Sequence, residues 1–364
     1  MQIFDFSNIE NVYVVGDLHG EFERLFNDIY NIFNVKTDKK PKSKQQTIFD
    51  RLVSEKKIIK DVDDTSINNY EVADYDLSFQ IINRANGQLN SQKKRKNMDK
   101  PSTLIIALGD CGFGFCKEKY YVDLMEKNNE WLKDNNITVL FLRGNHDDKS
   151  YFNNKIINFS NLITIPDYSV IKTQIGNFLC VGGGISDDRQ WRIREEKKKN
   201  RYKSSLSLNR VHLYWKDENI TFQENIFKEL KENEIKIDFL LTHCPSSTLI
   251  KDTKRYNEYL SNVKYWAEED KELVRDLDEQ DNILNQLVEK LISNGHNLTN
   301  WYFGHLHKSE IFLDKEKKLL GQCVAPNQIV IVKPYNFIES EKISLHGLEP
   351  MFARLSSNNT LEFF

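Results

Sequence analysis

The chain has 364 residues, 39% of them hydrophobic and 12% aromatic, which is enough for a substantial core and argues against global disorder. A formal net charge of −3 gives no overall attraction to nucleic acid or to an anionic membrane, so either would need a local patch. Five cysteines, an odd number with no Cys-x-x-Cys pair, argue against a disulfide framework or zinc ribbon. With no secretory signal pattern and no apolar run near the ~20 residues of a membrane span, the chain reads as cytoplasmic and not membrane-bound.

In chain order, five short apolar runs each end in residues able to bind metal. Val12–Val15 leads to Gly16-Asp17-Leu18-His19-Gly20, and Leu104–Leu108 to Gly109-Asp110-Cys111-Gly112. Val139–Leu142 leads to Arg143-Gly144-Asn145-His146-Asp147. Phe239–Leu241 leads to Thr242-His243-Cys244, and Trp301–Phe303 to Gly304-His305-Leu306-His307. Runs of this length bounded by glycine and polar residues predict buried strands.

Helical spacing lies between them. Phe22, Leu25, Phe26, Ile29, Tyr30 and Phe33 form one apolar stripe, and Tyr121, Leu124, Met125, Trp131 and Leu132 a second. Ile283, Leu284, Leu287, Val288, Leu291 and Ile292 form a third that stops at Gly295. Alternating strands and helices predict one α/β layered domain over 1–364. Polar insertions are expected at 35–101, with a helix near Ile48–Val53, and at 192–236. The acidic stretch Glu268–Asp281 reads as the solvated part of a long helix, and 311–364 as additional C-terminal strands.

Asp17 and His19, and likewise His305 and His307, are two residues apart, so in extended backbone each pair faces one side. With Asp110, Asn145 and His243 they make seven candidate ligands, more than one tetrahedral site needs, so two ions are implied. Oxygen and imidazole donors without thiolate suit divalent ions such as manganese, iron or zinc. Of eight histidines, His19, His146, His243, His305 and His307 follow predicted strands, whereas His212, His296 and His346 do not.

The series GDLHG, GDCG, RGNHD, THCP and GHLH, over roughly residues 12–310, resembles the calcineurin-like metallophosphoesterase superfamily. The resemblance implies two packed mixed β-sheets flanked by helices, with two divalent metal ions at the strand ends, manganese first, with iron, zinc, nickel and magnesium as alternatives. It implies Asp17, His19 and His307 on one ion, Asn145, His243 and His305 on the other, and Asp110 between them. His146 is then the acid for the leaving oxygen, with Asp147 orienting an imidazole and Arg143 binding a phosphate oxygen.

The implied activity is hydrolysis of phosphate mono- or diesters by a two-metal-activated hydroxide, with a small phosphorylated molecule or nucleotide as substrate. The basic runs Lys93–Lys96 and Arg192–Lys203 motivate a nuclease as the alternative, and a non-catalytic scaffold is the third reading. Where the protein-phosphatase branch has GDxxDRG, this chain has Phe113 and Gly114 in place of the acid and the arginine. After Val181, the glycine-rich segment Gly182-Gly183-Gly184 introduces Asp187, Arg189 and Arg192 as further residues near a substrate.

Overall fold

The computed structural model describes residues 1–33, 102–201, 211–251, 253–335, 353–355 and 361–363. The chain divides into Met1–Ile32 with Asn97–Phe364, and a second unit, Phe33–Lys96. The insertion expected at 35–101, its helix near Ile48–Val53 and the run Lys93–Lys96 all lie outside the described residues.

Two sheets form the centre. The strands are β1 (Ile3–Phe6), β2 (Asn11–Val15), β3 (Thr103–Ala107), β4 (Ile137–Phe141), β5 (Leu162–Thr164), β6 (Ser169–Thr173) and β7 (Gly176–Val181). They continue as β8 (Phe239–Thr242), β9 (Asn300–Phe303), β10 (Glu310–Asp314), β11 (Leu319–Cys323) and β12 (Ile329–Ile331). A five-stranded sheet runs β12-β2-β3-β4-β5 and a seven-stranded sheet β1-β6-β7-β8-β9-β11-β10. Both are mixed: β2, β3, β4 and β5 are parallel with β12 antiparallel at the edge, and β7, β8, β9 and β11 are parallel between antiparallel partners. In 311–364 the chain also forms a separate hairpin, β13 (Ala353–Leu355) with β14 (Leu361–Phe363).

Strand alternation builds the layers. Val12, Val14, Leu104 and Ile106 from one sheet meet Phe178, Cys180, Phe239 and Leu241 from the other in one buried cluster. The intervening residues Leu179, Val181 and Leu240 face the opposite way, towards helices α5 (Asn225–Glu232) and α8 (Leu273–Ser293). The third sequence stripe supplies Leu284, Leu287, Val288 and Leu291 to that layer. Helix α8 ends where expected, with Gly295 N–H bonding Ile292 O and His296 N–H bonding Leu291 O. The first stripe is helix α1 (Phe22–Phe33) and the second α2 (Glu118–Asp134).

Four short or polar helices complete the order: α3 (Ser150–Asn153), α4 (Arg189–Asn200), α6 (Ser247–Ile250) and α7 (Lys254–Ala267). The segment 192–236 thus contains most of α4 and all of α5, with 202–210 outside the described residues. The acidic stretch meets expectation in part: residues 273–281 open the 21-residue α8, but α7 stops at Ala267, so 268–272 is a break between helices. Asp270 is buried there, because it and Asp276 hold the guanidinium of Arg189.

Candidate metal centre

Register brings the motifs together. Val15 pairs with Ala107, and Ala107 with Phe141, so the residues after β2, β3 and β4 leave one edge side by side. In the other sheet Leu241 pairs with Tyr302, which sets Thr242-His243 beside Phe303-Gly304. All seven expected ligands and His146 gather where these two edges meet.

The backbone turns sharply at that point. His19, Asp110, His305 and His307 have φ of 47°, 45°, 64° and 56°, in the left-handed region that non-glycine residues seldom occupy. Such conformations cost about 1–3 kcal/mol each and collect at functional sites. Two glycines give the carboxylates room. A Cβ on Gly304 would collide with Asp17 Oδ1, and one on Gly144 with Asp110 Oδ1 and its backbone nitrogen.

Asp17 is fully buried and faces three imidazoles. Its Oδ2 lies 3.0 Å from His307 Nε2 and 3.8 Å from His19 Nε2, and its Oδ1 lies 4.0 Å from His243 Nδ1. His19 Nε2 and His307 Nε2 approach to 3.1 Å. The backbone N–H of His305 donates to both Asp17 oxygens, at 3.0 and 3.2 Å. Asp110 Oδ1 lies 3.2 Å from His243 Nε2, and its Oδ2 lies 3.9 Å from His146 Nε2. His243 Nε2 is also 2.8 Å from Asn145 Oδ1, and its Nδ1 is 2.9 Å from the carbonyl of Leu108. Leu108 O, Asn145 Oδ1 and the Asp110 carboxylate all accept, so both ring nitrogens of His243 donate as the site stands, and Nε2 is the nitrogen that would exchange its proton for an ion. The His305 ring stacks edge-on to His243 at 5.0 Å between centroids.

Electrostatics favours cations here. Burial alone would raise both carboxyls, but the His307 hydrogen bond and the His243 charge bring Asp17 below its ordinary value. His243 and His146 hold Asp110 well below it. Burial opposes charge on His243, yet Asp110 and Asp17 outweigh it and lift that imidazole to about 9, so the carboxylates favour a positive charge at this ring, whether proton or metal ion. Burial, followed by the His243 charge, lowers His305 to about 4.

The donor set fits divalent cations. Asp17, His19 and His307 form one grouping able to hold an ion, and Asp17, Asp110 and His243 another. Asp17 belongs to both groupings, whereas the resemblance had given the shared place to Asp110 alone. Thiols stay out of the set. Cys111 and Cys244 donate to the carbonyls of Leu142 and Gly183, and burial pushes Cys244 up to about 12.

Three residues differ from their expected roles. Arg143 is fully buried and points away from the centre, towards Asp167 (2.9 Å) and the carbonyls of Glu218 (2.8 Å), Asn219 (3.2 Å) and Gly182 (3.3 Å). Its fork is occupied by the protein, which corrects the expectation of a phosphate contact. Asp147 does not orient an imidazole. Its Oδ1 accepts the N–H groups of Gly112 (2.7 Å) and Phe113 (2.9 Å), and its Oδ2 those of Gly144 (2.8 Å) and Cys111 (3.0 Å). It therefore clamps two ligand loops together. His146 was expected as an imidazolium, but burial and then the Arg192 charge hold it well below its ordinary value, so the ring is neutral near pH 7.

Of the three residues after the glycine-rich segment, Arg192 faces the centre. Its NH2 lies 3.1 Å from His146 Nε2, and its Nε donates to Asp188 at 2.7 Å. Arg189 is taken by Asp270 and Asp276, and burial raises Asp187 to about 6. Two residues not singled out in the sequence also matter. Asn145 Nδ2 donates to Ser186 Oγ at 2.9 Å, and Ser186 Oγ donates to Glu218 Oε2 at 2.6 Å, which turns Asn145 Oδ1 inward. Ser186 had a signal in the glycines before it; Glu218, 32 residues further on, had none. Phe113 is the hub of a ring cluster with Phe22, Tyr121, Phe141, Tyr151 and Phe152, at centroid distances of 5.0–5.8 Å.

Two packed mixed sheets with carboxylate, amide and imidazole donors at their joined strand ends are the framework of a metallophosphoesterase. The chain belongs to the calcineurin-like phosphoesterase family, whose model matches residues 10–309. No curated protein matches the chain. Among the described residues, no helix is long and apolar enough to cross a membrane.

Proposed function

We propose that this protein hydrolyses phosphate esters of a small molecule or nucleotide, using two divalent metal ions with manganese as the first choice. The observation that carries this reading is the convergence of Asp17, Asp110 and four imidazoles, with Asn145, on one buried junction. Asp17, His19 and His307 would hold one ion and Asn145, His243 and His305 the other, with Asp110 shared between them and Asp17 near both. When bound, such ions supply Lewis acidity to water and to phosphoryl oxygens.

The chain's own residues supply the rest. Arg192 and His146 present adjacent nitrogens at the mouth, where a phosphoryl oxygen can accept from the guanidinium. A phosphate dianion there opposes both burial and the Arg192 charge, which together hold His146 neutral. The ring can then take up a proton and pass it to the leaving oxygen. The buried chain Glu218–Ser186–Asn145 keeps the amide oxygen turned inward. Of the basic residues of α4, Arg189, Arg192, Arg194 and Lys198 are paired with carboxylates of the chain, which takes part of this helix's charge away from a polynucleotide.

The test is turnover of an aryl phosphomonoester and the matching diester by the full chain, with manganese and with chelator. Turnover that requires metal supports the reading, and the monoester-to-diester ratio sets the reaction class. Arg192→Ala is expected to raise KM about tenfold or more, the loss of one charge-assisted hydrogen bond of ~1.5–3 kcal/mol. Absence of both turnover and bound metal would favour the scaffold reading.

A further inference from the structure

A cavity of about 120 Å³ opens beside the metal centre, between α7 and α8. His305, an expected ligand, forms part of its wall, as do Cys244 and Leu306, the neighbours of His243 and His305. Tyr256, Tyr259 and Val263 line it from α7, and Leu277 from α8. Its rim carries Leu260 and Val274, which are 42% and 47% exposed, unusually open for large apolar side chains among the described residues. Lining it at depth is Gln280, only 6% exposed, whose Oε1 has no hydrogen-bond partner. A buried acceptor left without a donor is unfavourable, and a ligand's donor would satisfy it. Two carboxylates, Asp278 and Asp281, also border the space, and Asp281 is already engaged by Ser247 and Asn285.

We infer that this cavity receives the organic group of the phosphoester, and that the group is an uncharged single ring bearing a hydrogen-bond donor for Gln280. The inference rests on the phosphoesterase reading for the position of the phosphate. Size favours one ring: the space of about 120 Å³ is of the order of the ~150 Å³ apolar cavity that takes one benzene. The walls combine apolar and aromatic side chains with a few polar groups, the usual make-up of a small-molecule site. The carboxylates at its border oppose an anionic group. The shared His305 wall fixes which end of the substrate enters, because the phosphoryl group must stay on the metal side.

The experiment compares ethyl phosphate, phenethyl phosphate and the para-hydroxy derivative of the latter on the manganese-loaded full chain. Their alcohols have similar acidity, so differences report on the pocket. Wild type is expected to favour phenethyl over ethyl phosphate about tenfold in kcat/KM, the discrimination that pocket contacts give. Leu260→Trp, at the rim, should remove that preference while leaving ethyl phosphate within about twofold. Gln280→Met should remove the added gain of the para-hydroxyl group and leave phenethyl phosphate unchanged. An equal fall on all three esters, or no ring preference in wild type, overturns the inference. If wild type hydrolyses no ester, the phosphoesterase reading fails by itself, and phenethyl alcohol binding by ligand-observed NMR then judges the pocket. Binding that Leu260→Trp abolishes supports a ring site, and no binding to wild type overturns it.

Discussion

Asp147→Asn separates a clamp from a catalytic partner. The wild-type carboxylate accepts four backbone N–H groups, two on each oxygen, from residues 111–113 and Gly144. Asparagine has the same shape but one carbonyl oxygen, so two buried N–H groups lose their acceptor and meet an NH₂ instead. At about 1–3 kcal/mol each, the cost is roughly 2–6 kcal/mol, a large part of the ~5–15 kcal/mol that holds a domain folded. Equilibrium urea unfolding in chelator measures it without a contribution from bound metal. The midpoint should fall while the slope stays unchanged. Manganese affinity should fall too, because Asp110 and Asn145 sit on the two clamped loops. A stability loss under about 1 kcal/mol, together with a large fall in kcat, would refute the clamp and restore the expectation that Asp147 orients an imidazole.

Arg143→Met should destabilise the fold by roughly 3–5 kcal/mol, since it strands Asp167 and several carbonyls; thermal unfolding checks this, and a stable variant with only a raised KM would return Arg143 to phosphate binding. Glu218 is raised by burial from 4.5 to about 8. The folded state therefore binds the proton more tightly, so the stability this group contributes is complete below about pH 4.5 and is lost as pH climbs through about 8. Glu218→Gln should flatten the decline of urea stability across that window, and an unchanged slope would count against a buried, protonated Glu218.

The local features were legible because they depend on neighbours in sequence. Short buried runs with glycine or polar stops marked β2, β3, β4, β8 and β9, and apolar stripes marked α1, α2 and α8. The pairs Asp17/His19 and His305/His307 stood out by two-residue spacing, but His19, His305 and His307 have left-handed backbone, so sharp turns and not an extended strand aim these side chains. The edge strand β1 carried no such signal. It is half exposed, and its place comes from pairing with β6, more than 160 residues away.

What the sequence by itself determined was the set of donors and the strand ends that carry them. Only the tertiary structure decided where the ambiguous polar side chains point. Arg143, Asp147 and Arg192 are all polar residues near a motif, and composition treats them alike. Arg143 meets carbonyls 39–76 residues on, Asp147 meets amides 34–36 residues back, and Arg192 crosses 46 residues to His146. A buried charge goes to whichever partners the packed chain offers, and those partners exist only once the two sheets have closed on each other.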